Sequence, residues 1–469
     1  MAGGSFVGLD IGSNQIKVAE LRRSGNTVQV VAMGVAQTPP DAYSQSDVVD
    51  AQMLGQAVKE LLKQSGISTK DVVSSVSGQA SVVVRVIEVP QMNDNELAET
   101  MKWEVERHVP FANSEVVMDY ARIDRPEGYA EGQNMDVLLA VAQQDLIDRH
   151  VEMLTAAGLK PKFIDVEPLA LGRTLLDLDT EPRQAGYTVC ILNIGACNTE
   201  IGIYRDKLLT FPRTLPIAGD NMTRAIAQNF GVDTVTAEKY KLDFAEVILD
   251  QLAPATPDFG GGATFGGGLG FQDFSAPPVN PFGAPPDPFT AAATAGESAG
   301  ASPFDFASPG EAPPPQTGAP LEFGAPAPQA PALAENLPAS VGYNDPAREA
   351  MKFQVFSAIA PILAELSQEV RRSMDYYRGR AGDAFVNEIQ LVGGTANLKG
   401  LAQFLEMELG IPVRVPDVMK HVQITAKSMS QNYAHEVAPL FPISIGLGVR
   451  ELIGGPSTKK SKPKGTSKK

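Results

Sequence analysis

Thiol, indole and imidazole side chains are scarce in this chain. Its 469 residues include two cysteines (Cys190 and Cys197), one tryptophan (Trp103) and four histidines (His108, His150, His421 and His435). None stands at metal-ligand spacing, so a zinc module and a disulfide scaffold are both excluded, and the cysteines read as thiols of a reducing compartment. Long apolar runs are missing too: none approaches the roughly 20 residues of a membrane-spanning helix. Residues 1–5 (MAGGS) have no basic n-region, so no signal peptide is expected and the chain reads as cytoplasmic. No GxxxxGK[ST] loop occurs, and Gly446-Leu447-Gly448 is too short for a Rossmann turn. Basic side chains vanish between Lys241 and Arg348, an interval holding twelve carboxylates, whereas the whole chain has a net charge of −16. The remainder is only mildly acidic, which argues against a nucleic-acid-binding face.

What is present begins with apolar content of 43%, enough for several cores and so for two or more domains. The organising stretch is Phe6 to Lys17, FVGLDIGSNQIK. Its apolar run reaches Asp10, breaks at Gly12-Ser13 and resumes as Ile16, Val18 and Leu21. That pattern predicts a β-hairpin whose turn carries a carboxylate, a glycine, a hydroxyl and a lysine. Such a turn can cradle a triphosphate: Gly12 lets backbone N–H groups approach phosphate oxygens, and Ser13 and Lys17 add donors and positive charge. Asp10 can hold Mg²⁺ through the ion's water shell. The same residues also make an ordinary glycine hairpin, and alone the stretch leaves both readings open. A second copy decides between them. Residues 187–204, YTVCILNIGACNTEIGIY, repeat the design of apolar strand, polar residue, Ile-Gly, polar turn and apolar strand. A third glycine turn, IQLVGGTANL at 389–398, runs from a strand into a helix predicted over 399–409.

Two hairpins and a glycine-pair turn in this order resemble the two phosphate motifs and the adenosine motif of the actin-like ATPases, a superfamily shared with heat-shock chaperones and sugar kinases. DVEPLALGR (165–173), LSQEVRRSMDYY (366–377) and a βαββα-like insert near residues 82–158 narrow the resemblance. Together they resemble the PilM family of type IV pilus assembly proteins and, beyond it, the cell-division protein FtsA. The resemblance covers the chain except for one long insertion and the tail.

The fold so implied is α/β: an actin-like (ribonuclease-H-like) two-lobed ATPase fold with a small α+β insert module and a long disordered insertion. Residues 1–81 and 159–183 are expected to form the first lobe, and 184–252 with 347–455 the second. Residues 82–158 are expected to be the module, an SHS2-type (1C-like) unit that in these families serves protein contacts. Asn93 or Asp94 caps its helix, with Leu97, Met101 and Val105 at four-residue spacing. Trp103, on the same helix, is expected to pack in the module or at its boundary. Residues 253–346 are rich in Pro, Gly and Ala, with phenylalanines from Phe259 to Phe323. Such a composition cannot offset its chain entropy, so disorder is expected there. A basic tail, 456–469, closes the chain.

By resemblance, ATP and Mg²⁺ would lie between the lobes. Asp10, Gly12, Ser13, Asn14 and Lys17 would face Gly195, Asn198 and Thr199 across the phosphates, with Gly393, Gly394, Thr395 and Asn397 under the ribose and adenine. Glu369 and Arg372, three apart on one helix face, can reach the same ligand or pair with each other. Asn193 stands where the family usually has aspartate, and with Asp10 it would hold Mg²⁺ through water, without adding charge. Glu167 is the candidate to orient an attacking water, and equally a structural carboxylate ahead of Pro168. The expectation is ATP binding with slow or absent hydrolysis. The implied role is a cytoplasmic ATP-binding scaffold at the inner membrane, whose module captures the N-terminal cytoplasmic peptide of a PilN-like partner, alongside other pilus platform and motor proteins. Three alternatives compete: an FtsA-like division protein, an active actin-like ATPase, and a type II secretion platform component. Self-association is left open.

Overall fold

The computed structural model describes residues 4–25, 27–44, 46–78, 80–111, 115–249, 346–382, 384–426 and 431–453. The insertion assigned to 253–346 and the tail 456–469 lie outside them, apart from Pro346, which opens a helix.

Strand-period alternation at the start of the chain gives a meander of β1 (Ser5–Ile11), β2 (Gln15–Ser24) and β3 (Thr27–Gln37), each antiparallel to the next. A short pair follows, β4 (Tyr43–Ser44) and β5 (Asp47–Val48). Asp50 then caps α1 (Ala51–Gln64), its carboxylate accepting from the Met53 N–H, and Leu54, Val58, Leu61 and Leu62 bury one face. β6 (Asp71–Val76) returns parallel to β1.

The insert follows as β7 (Val82–Val89), α2 (Asp94–His108), β8 (Val116–Arg122) and β9 (Met135–Gln143), a sheet in the order β7-β9-β8 carrying one helix. Asn93 and Glu96 form a reciprocal capping box at the start of α2. Leu97, Met101 and Val105 close a private core against Val137, Leu139 and Val141. Trp103 stays out of that core and is 67% exposed. Two residues past Met101, it lies on the outer face of the helix, which corrects the packing expectation. A second correction concerns α3 (Gln144–Ala156), assigned to the module from sequence. Its Met153 and Leu154 pack with Leu9, Ile16 and Leu54 of the first lobe, so the module ends with β9. β10 (Lys160–Val166) then joins β6 in parallel, and α4 (Glu167–Gly172) leads away.

The second lobe repeats the plan. β11 (Thr188–Ile194), β12 (Thr199–Arg205) and β13 (Leu208–Leu215) form a meander, followed by α5 (Gly219–Phe230), α6 (Thr234–Phe244) and the long α7 (Pro346–Arg380). β14 (Glu388–Val392) lies parallel to β11, and after α8 (Leu401–Leu409) comes β15 (Val413–Arg414), parallel to β14. One sheet reads β10-β6-β1-β2-β3 and the other β15-β14-β11-β12-β13, the same pattern built twice.

The C-terminal part crosses back. β16 (Gln423–Ile424) pairs with β3 of the first sheet. After α9 (Gln431–Glu436), α10 (Pro442–Val449) packs on β1, β2 and α4. A Cβ on Gly8 would overlap the Ser444 carbonyl, one on Gly446 the Ala170 carbonyl, and one on Gly448 the Leu21 side chain. Gly8 and Gly448 set the contact distance of α10 on the strands, and Gly446 its contact distance on α4. Asp165 accepts from Arg173 and from Arg450, both at 2.7 Å, which fastens the returning chain. The second lobe expected over 347–455 therefore stops near β15. Between the sheets lies one shared core, in which Leu21, Val30 and Leu171 of the first lobe meet Val189, Leu209 and Val392 of the second, with Phe441 and Ile443 among them.

Candidate functional site

The two hairpin turns correspond position for position. In the first, Asp10 pairs in register with Lys17, and the Gly12 N–H donates to the Gln15 carbonyl at 3.0 Å. In the second, Asn193 pairs with Glu200, and the Gly195 N–H donates to the Asn198 carbonyl at 3.0 Å. Asp10 aligns with Asn193, Gly12 with Gly195 and Lys17 with Glu200. The third turn fits against the second because Gly393 has φ +93°, and a Cβ there would strike the Ile194 carbonyl and the Asn193 side chain. Thr395 Oγ1 donates to the Gly195 carbonyl at 3.0 Å, locking the two turns together.

All three turns open into one cavity of about 420 Å³, a size typical of small-molecule sites. Of the residues expected from sequence, Asp10, Gly12, Ser13, Asn14 and Lys17 line it from the first hairpin, and Asn193, Gly195 and Asn198 from the second. Gly393, Gly394, Thr395, Asn397 and Glu167 complete that set. Three expected residues are not brought there. Thr199 is fully buried, and its hydroxyl donates to the Ile217 carbonyl at 2.6 Å. Glu369 accepts from Arg213 at 2.8 Å and pairs with Arg372. Neither Glu369 nor Arg372 lines the cavity, and of the two sequence readings the structure realises the helix-face ion pair.

Charge inside the cavity is uneven. Lys17 Nζ lies 3.2 Å from Asp10 Oδ2, both side chains largely buried. Burial, with the Asp10 charge adding to it, pushes the Glu167 carboxyl up to about 7, against the pull of the Ser77 hydroxyl and Lys17. Burial and then the Glu167 charge hold Glu200 well above the usual carboxylate range. Glu200 is 6% exposed, and its Oε2 has no hydrogen-bond partner. Among the described residues no group of three or more His, Cys, Asp or Glu side chains is arranged to hold a metal ion.

Sequence reasoning missed Glu200, although strand pairing puts it opposite Asn193. It also missed Glu238 and Lys241 of α6, which line the cavity. Lys241 Nζ lies 2.7 Å from Glu238 and donates to the Thr223 hydroxyl at 2.8 Å. Their three-residue spacing on a helix was the available signal. Pro439 and Leu440, at the far wall, come from the returning C-terminal part and carried no local signal.

A family described as type IV pilus assembly protein PilM matches residues 8–245 and 350–452. A solved structure, "PilM-PilN type IV pilus biogenesis complex", matches with a TM-score of 0.65 and 25% identity, covering 95% of this chain and 97% of the matched one. Among curated proteins, the cell division protein FtsA of Streptococcus pneumoniae serotype 2 (strain D39) is 23% identical over 264 residues, 52% of this chain and 56% of that protein. FtsA of Escherichia coli (strain K12) is 26% identical over 259 residues, 50% of this chain and 59% of that protein. The chain thus spans somewhat over half the length of these two curated relatives.

Proposed function

Because the chain belongs to the family of type IV pilus assembly protein PilM, we propose that it is an ATP-binding scaffold of a pilus assembly platform, held at the cytoplasmic face of the inner membrane by its partners. The observation that carries the nucleotide reading is the pair of corresponding glycine hairpins opening into one cavity, with the Lys17–Asp10 pair at one turn and Asn193 opposite Glu200 at the other. A cavity this size with a lysine, two glycine turns and buried carboxyls suits a phosphorylated ligand with a hydrated divalent cation. The orphaned Glu200 Oε2 is the kind of buried acceptor that such a cation's water would satisfy.

In this reading Gly12, Ser13, Asn14 and Lys17 meet Gly195 and Asn198 across the phosphates. Gly393, Gly394, Thr395 and Asn397 support the nucleoside, joined by Glu238 and Lys241. Asp10 and Asn193 would hold Mg²⁺ through water, and Mg²⁺ supplies charge neutralisation on the phosphates when bound. Asn193 brings no negative charge to hold the cation or to help polarise an attacking water, so turnover is slow or absent. The solved relative is a complex with PilN. On that basis the β7–β9 module of this chain captures a short cytoplasmic peptide of a PilN-like membrane protein. Among the described residues no helix is long and apolar enough to cross a membrane.

Isothermal titration with ATP, with and without Mg²⁺, tests the nucleotide reading. Wild type should bind in the micromolar range, Asp10→Ala and Lys17→Ala should weaken binding at least about tenfold, an interaction loss of some 1.4 kcal/mol. Phosphate release should stay near background for hours. A folded wild type that takes up no nucleotide would leave a partner-binding frame only, and rapid phosphate release would make it an active ATPase.

A further inference from the structure

The module belongs to the first lobe by chain connection, inserted between β6 and α3, yet its packing faces the second. β7 runs beside β13, the outer strand of the second sheet. Val86 of β7 and Leu138 of β9 are cross-strand partners on the sheet face turned away from α2. Val86 is 8% exposed although it lies outside the module's own core, and Leu138 packs against the core shared by the lobes. At the rim, Arg380, the last residue of α7, donates from Nε to Glu88 of β7 at 3.1 Å. Of the two connections to the first lobe, the one leaving β6 runs past the cavity, where Ser77 lines the wall.

We infer that the module braces the two lobes, with the Glu88–Arg380 pair as a latch that sets how readily the cleft opens. A lobe that swings about the shared core must slide β13 and the end of α7 along β7, and the latch resists that slide. An occupant of the module that shifts β7 would then alter the cleft without touching it. The converse also holds, because the linkage is reciprocal. The brace stands on packing alone and does not depend on what the cavity binds.

Cys197 provides a ligand-free readout. It lines the cavity, half-buried, with its thiol on Asp220 at 3.1 Å, whereas Cys190 is fully buried. In the full chain, reaction with an aromatic disulfide reagent should label one thiol slowly, at a rate set by cleft opening. An exposed ion pair changes an opening equilibrium up to about fivefold, and charge reversal adds repulsion. Glu88→Arg and Arg380→Glu should therefore each speed labelling about threefold or more, and the double exchange should return it toward the wild-type rate. Unchanged rates in the single variants, or no rescue by the exchange, would overturn the latch. Labelling of two thiols would instead report unfolding, and the milder pair Glu88→Gln and Arg380→Gln then decides: a smaller acceleration upholds the latch and none removes it. A separate arm with Mg-ATP asks whether nucleotide protects Cys197. Its failure would count against the nucleotide reading and leave the latch result untouched.

Discussion

Two carboxyl groups, Glu167 and Glu200, share a wall with Asp10 in surroundings that favour their neutral forms. For Glu167 the sign of the pH effect follows from its proton. The folded chain releases it near pH 7, whereas an unfolded glutamate does so near 4.5. Across that window the folded state holds more protons, so stability falls as pH rises, and the loss is complete above pH 7. Thermal unfolding of wild type should therefore weaken between pH 5 and pH 8 by on the order of 1–3 kcal/mol from this group, and Glu167→Gln should flatten that part of the profile. An equally steep profile in the variant would assign the slope to other groups. Residues at turns were the legible part of the site, because glycine, hydroxyl and lysine have local reasons to stand there. Glu200 was not, since its meaning arises across the hairpin from Asn193. Arg213 lies on β13, far from Glu369 in sequence, and no pattern along α7 announces that it will take up that carboxylate.

Single elements were legible where one face decides them. The spacing in α1 and α2 marked their inner faces, and of the two cap candidates, Asn93 and Asp94, the structure uses Asn93. The destination of α10 was not legible. Its sequence, PISIGLGV, is apolar all round, which signals burial on every side without saying against which sheet. What selects this seat is the small size of Gly8 under Ser444, of Gly446 against Ala170 of α4 and of Gly448 against Leu21 of β2, visible only once the surfaces meet. Gly8→Ala should cost about 3 kcal/mol or more, because the obstacle is a backbone carbonyl that no rotamer change removes. Gly379 is the contrast: it sits in α7 with nothing near its missing Cβ. Gly379→Ala should add up to about 1 kcal/mol through helix propensity. Denaturant midpoints of the two variants check both signs, and a Gly8→Ala protein as stable as wild type would mean α10 can lift off β1 at little cost.

At the scale of the whole molecule, the two lobes share a core while the module keeps its own. Phe441, fully buried in the shared core, touches the fate of both sheets. Phe441→Ala should lose about 3–5 kcal/mol and lower hydrogen-exchange protection in β1 and β11 alike. Met101→Ala should loosen amides of α2 and β7–β9 while both lobes stay protected. Equal loss in all three regions for either variant would mean a single cooperative unit. The doubled sheet plan could be anticipated from the repeated hairpin, but the crossing of residues 423–453 back to the first lobe could not, because no local pattern encodes which sheet a late segment joins. That crossing has a consequence for biosynthesis. On the ribosome, β1 is made more than 400 residues ahead of its covering helix, α10, which ends at Val449. At translation rates of 5–20 residues per second, roughly 20–90 s pass before the first lobe can be sealed. Until then the β1–β2 hairpin waits with an apolar face in water, so the nascent chain should be a client of ribosome-associated chaperones, and truncation before Pro442 should yield aggregates rather than half a protein.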